Sequence, residues 1–246
     1  MDRMLYIAMS GAEQMLEAQA ANSNNLANVS TNGFRADLAA FKSLQVYGPG
    51  YDSRAYTQAN SAGVDMSAGA TAITGRELDV AVNGEGWIAV QGSDGKEAYT
   101  RAGELRVSSG GVLETSAGNA VFADGGPLAV PPYEKIEIGA DGTVSIRPVG
   151  QAPTTLAVVG RIKLVNPPKD QLEKGEDGLI RLKDGTTANA EASVRLTSGA
   201  LEGSNVNAVD ALASMITLAR QYELQVKIMK HAEQNDAEAA KLMAAG

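Results

Sequence analysis

The side chains that could carry chemistry in this sequence are few, and they begin with a single histidine. The chain of 246 residues has no cysteine, which excludes disulfides and thiolate metal sites. A Ser-His-Asp triad would depend on His231 alone, and the sequence has no Gly-x-Ser-x-Gly elbow to supply a serine. A zinc site would need further nitrogen or sulfur ligands beside this histidine. The residue types therefore predict no nucleophilic centre, no metal and no cofactor, with His231 solvated on a helix surface.

A glycine-rich stretch offers a second chemical interpretation. Gly84–Ala89 formally fits the dinucleotide-binding pattern G-x-G-x-x-A. That pattern must open a helix whose N-terminus faces the phosphates, whereas the residues that follow here are typical of a strand. The Asn83-Gly84 pair predicts the turn of a β-hairpin instead, and Trp87, the only tryptophan, is interpreted as a core anchor.

Scattered carboxylates could act as a glycosidase pair, and we take Glu97, Glu104 and Glu114 as the candidates. Nothing in their spacing favours that role. A periplasmic carbohydrate-binding or hydrolytic β protein is therefore kept only as the alternative function class.

The formal net charge of -8 and the absence of a basic run argue against nucleic-acid binding. No apolar run approaches the ~20 residues that span a bilayer, so we expect no membrane insertion. The acidic start at Asp2, with no apolar core after it, is a poor secretory signal.

Two long helices, one at each end of the chain, are the clearest elements that the sequence predicts. Between Ser204 and Ala245 there is no glycine or proline, and apolar residues recur with helical spacing from Val209 to Met229. Ser204 and Asn205 are good N-cap types and predict the start of this helix. Such a rod, roughly 60 Å long, must project beyond a compact domain. Its apolar stripe therefore needs a partner.

Residues 2–31 show a similar stripe, which predicts the N-terminal helix. Asparagines crowd its end, although asparagine is a mediocre helix former. One interpretation is a fraying helix end that stops at Asn32-Gly33. The other is that the amides hydrogen-bond across helix partners and fix their register.

The centre of the chain follows a different pattern. Residues 33–75 predict an extended linker, with a possible short helix to Leu44 and sparse aromatic contacts from Tyr47, Tyr51 and Tyr56. Over residues 76–200 the period changes to two, and Asp-Gly turns recur between short strands. We therefore predict an α+β, multi-domain chain. Residues 1–32 and 201–246 would pair as a discontinuous antiparallel coiled-coil domain, joined by the linker to a central all-β domain.

Two long motifs carry a resemblance to a known family. Ser10-Gly11 followed by NNLANVSTNGFR (24–35), and LEGSNVNAVDALASMITLARQYELQVK (201–227), resemble the terminal signatures of the bacterial flagellar rod and hook proteins. TGRELDVAVNGEGWIAV (74–90) and YTRAGELRV (99–107) match that family's central β region. Within the family, the start of the chain and its modest length are most similar to proximal-rod members, with distal-rod members as the nearest alternative.

The resemblance implies a structural, non-enzymatic subunit of the basal-body rod. Its terminal helices would pack in coiled-coil layers around an export channel and transmit torque from motor to hook. Its partners would be copies of itself, proximal rod neighbours below, the distal-rod protein above, and the flagellar type III export apparatus during secretion. The location would be the periplasmic rod, reached without a cleaved signal peptide.

On this basis we predict two sets of assembly residues. The packing residues of the apolar stripes are Leu5, Ala12, Met15, Leu26, Val209, Leu212, Ile216 and Val226. The polar residues that would fix the register between helices are Asn24, Asn25, Asn28, Asn205 and Asn207.

Overall fold

A computed structural model describes residues 2–45, 55–151 and 156–244, and the side chains in these ranges except those of 2–3 and 39–62. The predicted aromatic contacts of Tyr47, Tyr51 and Tyr56 lie outside the described residues. In chain order, a helix at each end flanks a β-rich centre, which confirms the predicted α+β class. Contacts divide the chain into two compact units. Unit 1 falls within Met1–Asn28, Asp37–Gly63 and Val206–Gly246, and unit 2 within Val29–Ala36 and Val64–Asn205.

Unit 1 contains both long helices and a two-stranded sheet. The helices are α1 (Asp2–Ala27) and α2 (Ala208–Ala244), and the sheet pairs β1 (Asp37–Gln45) with β2 (Ala55–Val64). The helices run antiparallel, because Asn22 near the end of α1 donates to the Ala211 carbonyl near the start of α2 at 2.7 Å. Among the described residues, no helix combines the length and the hydropathy that crossing a membrane requires.

The structure corrects the predicted start of α2. The Val209 N–H donates to the Asn207 side-chain oxygen at 3.0 Å, and the Ala211 N–H to the Asn207 carbonyl at 3.0 Å. Asn207 is therefore the N-cap, and neither Ser204 nor Asn205 is. Those two residues stand further upstream, close to a strand that ends at Glu202.

The possible helix up to Leu44 is also wrong, because this stretch forms strand β1. Its alanines and leucine favour a helix locally. The Asn25 side chain, however, accepts from the Asp37 N–H at 2.8 Å and donates to the Asp37 carbonyl at 2.9 Å. These bonds occupy both backbone groups of the first strand residue, and pairing with β2 completes the strand. Likewise, α1 ends at Ala27, a few residues before the predicted end at 31.

Unit 2 consists of short antiparallel strands. They are β3 Thr71–Ile73, β4 Val80–Asn83, β5 Trp87–Gln91, β6 Glu97–Thr100, β7 Leu105–Val107, β8 Leu113–Thr115, β9 Phe122–Ala123, β10 Gly126–Pro127, β11 Tyr133–Ile138, β12 Thr143–Pro148, β13 Ala157–Arg161, β14 Leu164–Val165, β15 Leu172–Lys174, β16 Ile180–Leu182, β17 Arg195–Ser198 and β18 Ala200–Glu202. A 3-10 helix, Lys169–Gln171, precedes β15. The largest sheet has the order β14-β5-β6-β16-β15, a second has the order β11-β12-β13, and the remaining pairs are β17-β4, β18-β3, β7-β8 and β10-β9.

The core of unit 2 lies on both faces of β5. Ile88 and Val90 point into the larger apolar cluster, while Trp87 and Ala89 point into a smaller one that includes Tyr99. Because successive strand residues face opposite sides, a strand buried on both faces must be apolar throughout. This explains the uninterrupted run WIAV and confirms that Trp87 is a core residue.

The hairpin predicted at Asn83-Gly84 is wrong in its pairing. Strands β4 and β5 flank the turn as expected, but β4 pairs with β17 and β5 pairs with β6 and β14. A side chain at Gly86 would stand 2.6 Å from Val194, which shows how closely the segment before β17 approaches this turn. The partner of β4 is therefore a strand more than a hundred residues away along the chain.

Candidate assembly surfaces

The contact between the two helices of unit 1 is made by small side chains. Ala8, Ala12 and Ala18 are buried on α1, and Ala211 and Ala232 are the buried residues of α2. Gly11 packs against Gln225, where an added Cβ would stand 3.1 Å from the side-chain amide carbon. Since the separation of packed helices depends on the side chains at the contact, these residues allow a close approach.

Three large apolar side chains near the start of α2 point away from this contact. Val209, Leu212 and Ile216 are 73%, 49% and 56% exposed. Their spacing places them on one helix face, on roughly the opposite side from Ala211. We call these three residues the α2 strip. They are all residues that the sequence predicted as assembly packing.

On α1 the pattern is similar. Leu5, Met9 and Leu16 are exposed and share one side of the helix. Among the other predicted packing residues, Ala12 is buried against α2, whereas Met15, Leu26 and Val226 are half-buried. A chain on its own therefore buries its small residues and leaves many large apolar ones in water.

The predicted asparagines have different partners within the chain. Asn25 holds Asp37 at the start of β1, and Asn207 caps α2. The Asn28 side chain donates to the Asn24 carbonyl at 3.0 Å, within the last turn of α1. The side chains of Asn24 and Asn207 lie at exposed positions. Their predicted role between helices of different subunits stays a prediction.

Asn205 joins three separate segments of unit 2. Its side-chain oxygen accepts from the Ala36 N–H at 2.8 Å, and its amide nitrogen donates to the Asp65 carbonyl at 2.9 Å and to the Ser67 carbonyl at 3.2 Å. The Asp65 N–H in turn donates to the Ala36 carbonyl at 2.8 Å. We call this set the Asn205 junction. It ties together the residues at which the chain passes out of and back into unit 2.

A buried ion cluster surrounds Glu202, three residues before Asn205. The Glu202 carboxylate accepts from Arg35, from Arg101 at 2.9 Å and from the Gly69 N–H at 2.9 Å. Glu202 and Arg35 are each 2% exposed and Arg101 is 5% exposed. The two guanidiniums also lie over the Trp87 ring, 5.7 and 5.3 Å from its centroid. We call Arg35, Arg101, Glu202 and Trp87 the Glu202 cluster.

The electrostatics of this cluster are governed by burial. Desolvation lowers the pKa of Arg101 below its usual value, and the Glu202 carboxylate acts in the opposite direction. Glu202 therefore stabilises two guanidiniums that have little contact with water.

Sequence reasoning did not single out Arg35, Arg101 and Glu202. Each of them lies in one of the motifs that carry the family resemblance, and that was the available signal.

The residues considered for catalysis do not converge on one site. Glu97 pairs with Lys163 at 2.8 Å, and Glu114 pairs with Arg106 at 2.8 Å. Glu104 lies 3.5 Å from an Arg76 nitrogen. Each carboxylate is thus held in its own ion pair. His231 is exposed on α2.

Comparison with known proteins identifies similar chains. Models of three protein families match separate parts: "Flagella basal body rod protein" over residues 5–35, "Flagellar hook protein FlgE/F/G D1 domain" over 81–146, and "Flagellar basal body rod FlgEFG protein C-terminal" over 197–242. The flagellar basal-body rod protein FlgF of Salmonella typhimurium is 42% identical, and the alignment covers 99% of both chains. The FlgF of Escherichia coli is 43% identical with the same coverage. The flagellar basal-body rod protein FlgG of Bacillus subtilis is 32% identical over 92% of this chain and 94% of its own.

Proposed function

This chain belongs to the flagellar basal-body rod protein family, and on that premise we propose that it is a structural subunit of the proximal rod that assembles through its terminal helices. It interacts with other rod and hook components and acts without catalysing a reaction. The full-length similarity to two FlgF proteins supports the proximal position, since the FlgG relative is less similar.

The observation that carries this proposal is the distribution of apolar residues on the helices. The pair α1–α2 buries alanines and exposes the α2 strip together with Leu5, Met9 and Leu16. Clusters of large exposed apolar side chains mark surfaces that bind other proteins. A subunit that must pack against several neighbours needs such residues on its outside, and they become buried when the rod forms.

The finer parts of the proposal rest on the family resemblance. Residues 1–32 and 201–246 form a discontinuous coiled-coil domain in the assembled rod, around an export channel. The remaining predicted packing residues, and the asparagines of both motifs, fix the stagger between neighbouring helices. Subunits pass through the flagellar type III export apparatus, form part of the periplasmic rod between proximal neighbours and the distal-rod protein, and transmit torque.

The proposal is tested by replacing Ile216 with Asp in the chromosomal copy. Ile216→Asp places an unpaired carboxylate in a surface that assembly would bury, at a cost of several kcal/mol. We expect loss of motility in soft agar and loss of rods from isolated basal bodies. Because Ile216 is exposed in the single chain, the thermal unfolding of the purified variant should match the unmodified protein.

Gln234→Asp is the matched control. Gln234 is also exposed on α2 and lies on the same helix side about five turns further along, outside the α2 strip. It should leave motility intact. Normal motility of Ile216→Asp, or equal loss in both variants, would reject the α2 strip as an assembly surface.

A further inference from the structure

Two Asn-Gly pairs occur in the sequence, Asn32-Gly33 and Asn83-Gly84, and their surroundings differ sharply. Asparagine followed by glycine is the sequence most prone to spontaneous deamidation, because glycine offers the least steric hindrance to attack by its own backbone nitrogen. The reaction needs a free Gly N–H, a mobile Asn side chain and space for a ring. The two pairs can be compared on these three requirements.

The pair at Asn32-Gly33 is locked in place. The Gly33 N–H donates to the Glu202 carbonyl at 2.8 Å, and the Asn32 side chain donates to Glu104 at 3.4 Å. A Cβ built on Gly33 would stand 2.3 Å from the backbone of Arg101 and Ala102, so the space beside this glycine is filled. Ring closure here would require the chain to move away from its neighbours.

The pair at Asn83-Gly84 is open. Both residues are exposed, and a Cβ built on Gly84 would meet nothing within 4 Å. Gly84 has a φ of 79°, which belongs to the turn after β4. Within the described part of the chain, the Gly84 N–H has no hydrogen-bond acceptor. The exposed Asn83 side chain, the free Gly84 N–H and the open space beside the glycine together allow ring closure at this turn.

The environment also favours the ionised form of the attacking group. Arg101 donates to the Gly84 carbonyl at 2.7 Å and to the Val82 carbonyl at 3.4 Å, so its guanidinium stands beside the carbonyl groups of the two residues that flank Asn83. A fixed positive charge stabilises negative charge that develops on a nearby atom. Here that atom is the Gly84 backbone nitrogen as it loses its proton.

We propose that Asn83 is a site of spontaneous, non-enzymatic deamidation in the folded protein. The Gly84 nitrogen gives its proton to solvent and bonds to the carbonyl carbon of the Asn83 side-chain amide. The C–N bond of that amide then breaks, and its nitrogen takes up a proton from solvent and leaves as ammonia. The product is a five-membered succinimide. Water then adds to one of its two carbonyls and opens the ring to an aspartyl or an isoaspartyl residue.

The fold determines what the modification does. Asn83 lies directly opposite Arg195 in the β4–β17 pair. An aspartyl product would place a carboxylate across from this arginine, and opposite charges at such positions attract. An isoaspartyl product inserts an extra carbon into the backbone between β4 and β5. The aspartyl form therefore keeps the β4–β17 pairing, and the isoaspartyl form weakens it.

The test is peptide mapping by mass spectrometry after incubation of the full-length protein in mildly alkaline buffer, with a zero-time sample digested in parallel. Trypsin releases Asn83 in the peptide 77–96, of which it is the only asparagine, and Asn32 in the peptide 4–35. In native buffer we expect deamidation at Asn83 to be at least about tenfold faster than at Asn32, a barrier difference of about 1.4 kcal/mol. In denaturant the two rates should become similar.

Asn83→Gln is the matched variant, because glutamine would have to close a larger ring and reacts far more slowly. Its peptide 77–96 should show no mass increase, which assigns the signal to position 83. Deamidation at Asn32 as fast as at Asn83 in the native protein would overturn the proposal. An Asn83 that reacts in denaturant but stays intact in the folded chain would also overturn it.

Discussion

Replacing Glu202 by glutamine is the most direct perturbation of the buried ion cluster. Glu202→Gln keeps the size of the side chain but removes the charge that faces Arg35 and Arg101. Both guanidiniums are nearly inaccessible to water, so neither can recover its solvation. The glutamine oxygen can still accept a hydrogen bond, but the new NH2 group would face the N–H groups of the two guanidiniums, which are donors as well.

The expected size of the effect follows from this burial. Breaking a buried ion pair by removing one partner costs about 3–5 kcal/mol. The variant keeps one acceptor, so we expect about 3 kcal/mol. For a protein of this length, each kcal/mol shifts the midpoint by roughly 2–4 °C, and the melting temperature should fall by roughly 6–12 °C. The assay is thermal unfolding followed by circular dichroism and by the fluorescence of Trp87, the only tryptophan.

Glu114→Gln provides the control. Glu114 also pairs with an arginine at 2.8 Å, but the Arg106 side chain is 57% exposed. Exposed pairs contribute about 0–1 kcal/mol, so the melting temperature of this variant should barely change. If Glu202→Gln unfolds at the same temperature as Glu114→Gln, the Glu202 cluster does not stabilise unit 2, and the reasoning is refuted.

Two further predictions concern unit 2. Burial raises the pKa of Tyr99 to about 12, above its value of about 10 in the unfolded chain. The folded state therefore loses stability relative to the unfolded state as the pH rises from about 10 to about 12, and the total loss is about 3 kcal/mol. Tyr99→Phe should flatten that loss in urea unfolding from pH 9 to 12, and an unchanged slope would contradict it. Asn205→Ala leaves the Ala36 N–H and the Asp65 carbonyl without this partner and should cost about 1–3 kcal/mol. Hydrogen exchange at the Ala36 amide should accelerate, whereas the exposed control Asn24→Ala should not change it.

The sequence predicted the elements whose signals are local. The long breaker-free run predicted α2, and the turn chemistry of the Asp-Gly pairs predicted a central region of short strands. Trp87 was predicted as a core residue because it is the only tryptophan and follows a glycine-rich turn. These inferences depend on neighbours within a few positions, which a sequence displays directly.

What depends on distant residues could not be read in the same way. The Asn83-Gly84 pair is a strong turn signal, yet the partner of β4 is β17. The alanines before Leu44 favour a helix, but Asn25 fixes the first residue of that stretch as a strand. Tertiary contacts override local preference in both cases.

The same limit applies to the Glu202 cluster. Arg35 and Glu202 are 167 positions apart, and nothing near either residue indicates a charged partner. The predicted packing residues of the α2 strip are exposed in a single chain, so their role is a property of the assembly and remains a prediction.

The Asn205 junction has a mechanical consequence. The chain leaves unit 2 after Ala36 and after Asn205, and it re-enters at Val64. The Asn205 side-chain amide and the hydrogen bond from the Asp65 N–H to the Ala36 carbonyl link these three chain segments to each other. A force that pulls one of these segments away from the other two must therefore break hydrogen bonds of the junction. The three segments consequently move together under load until those bonds break.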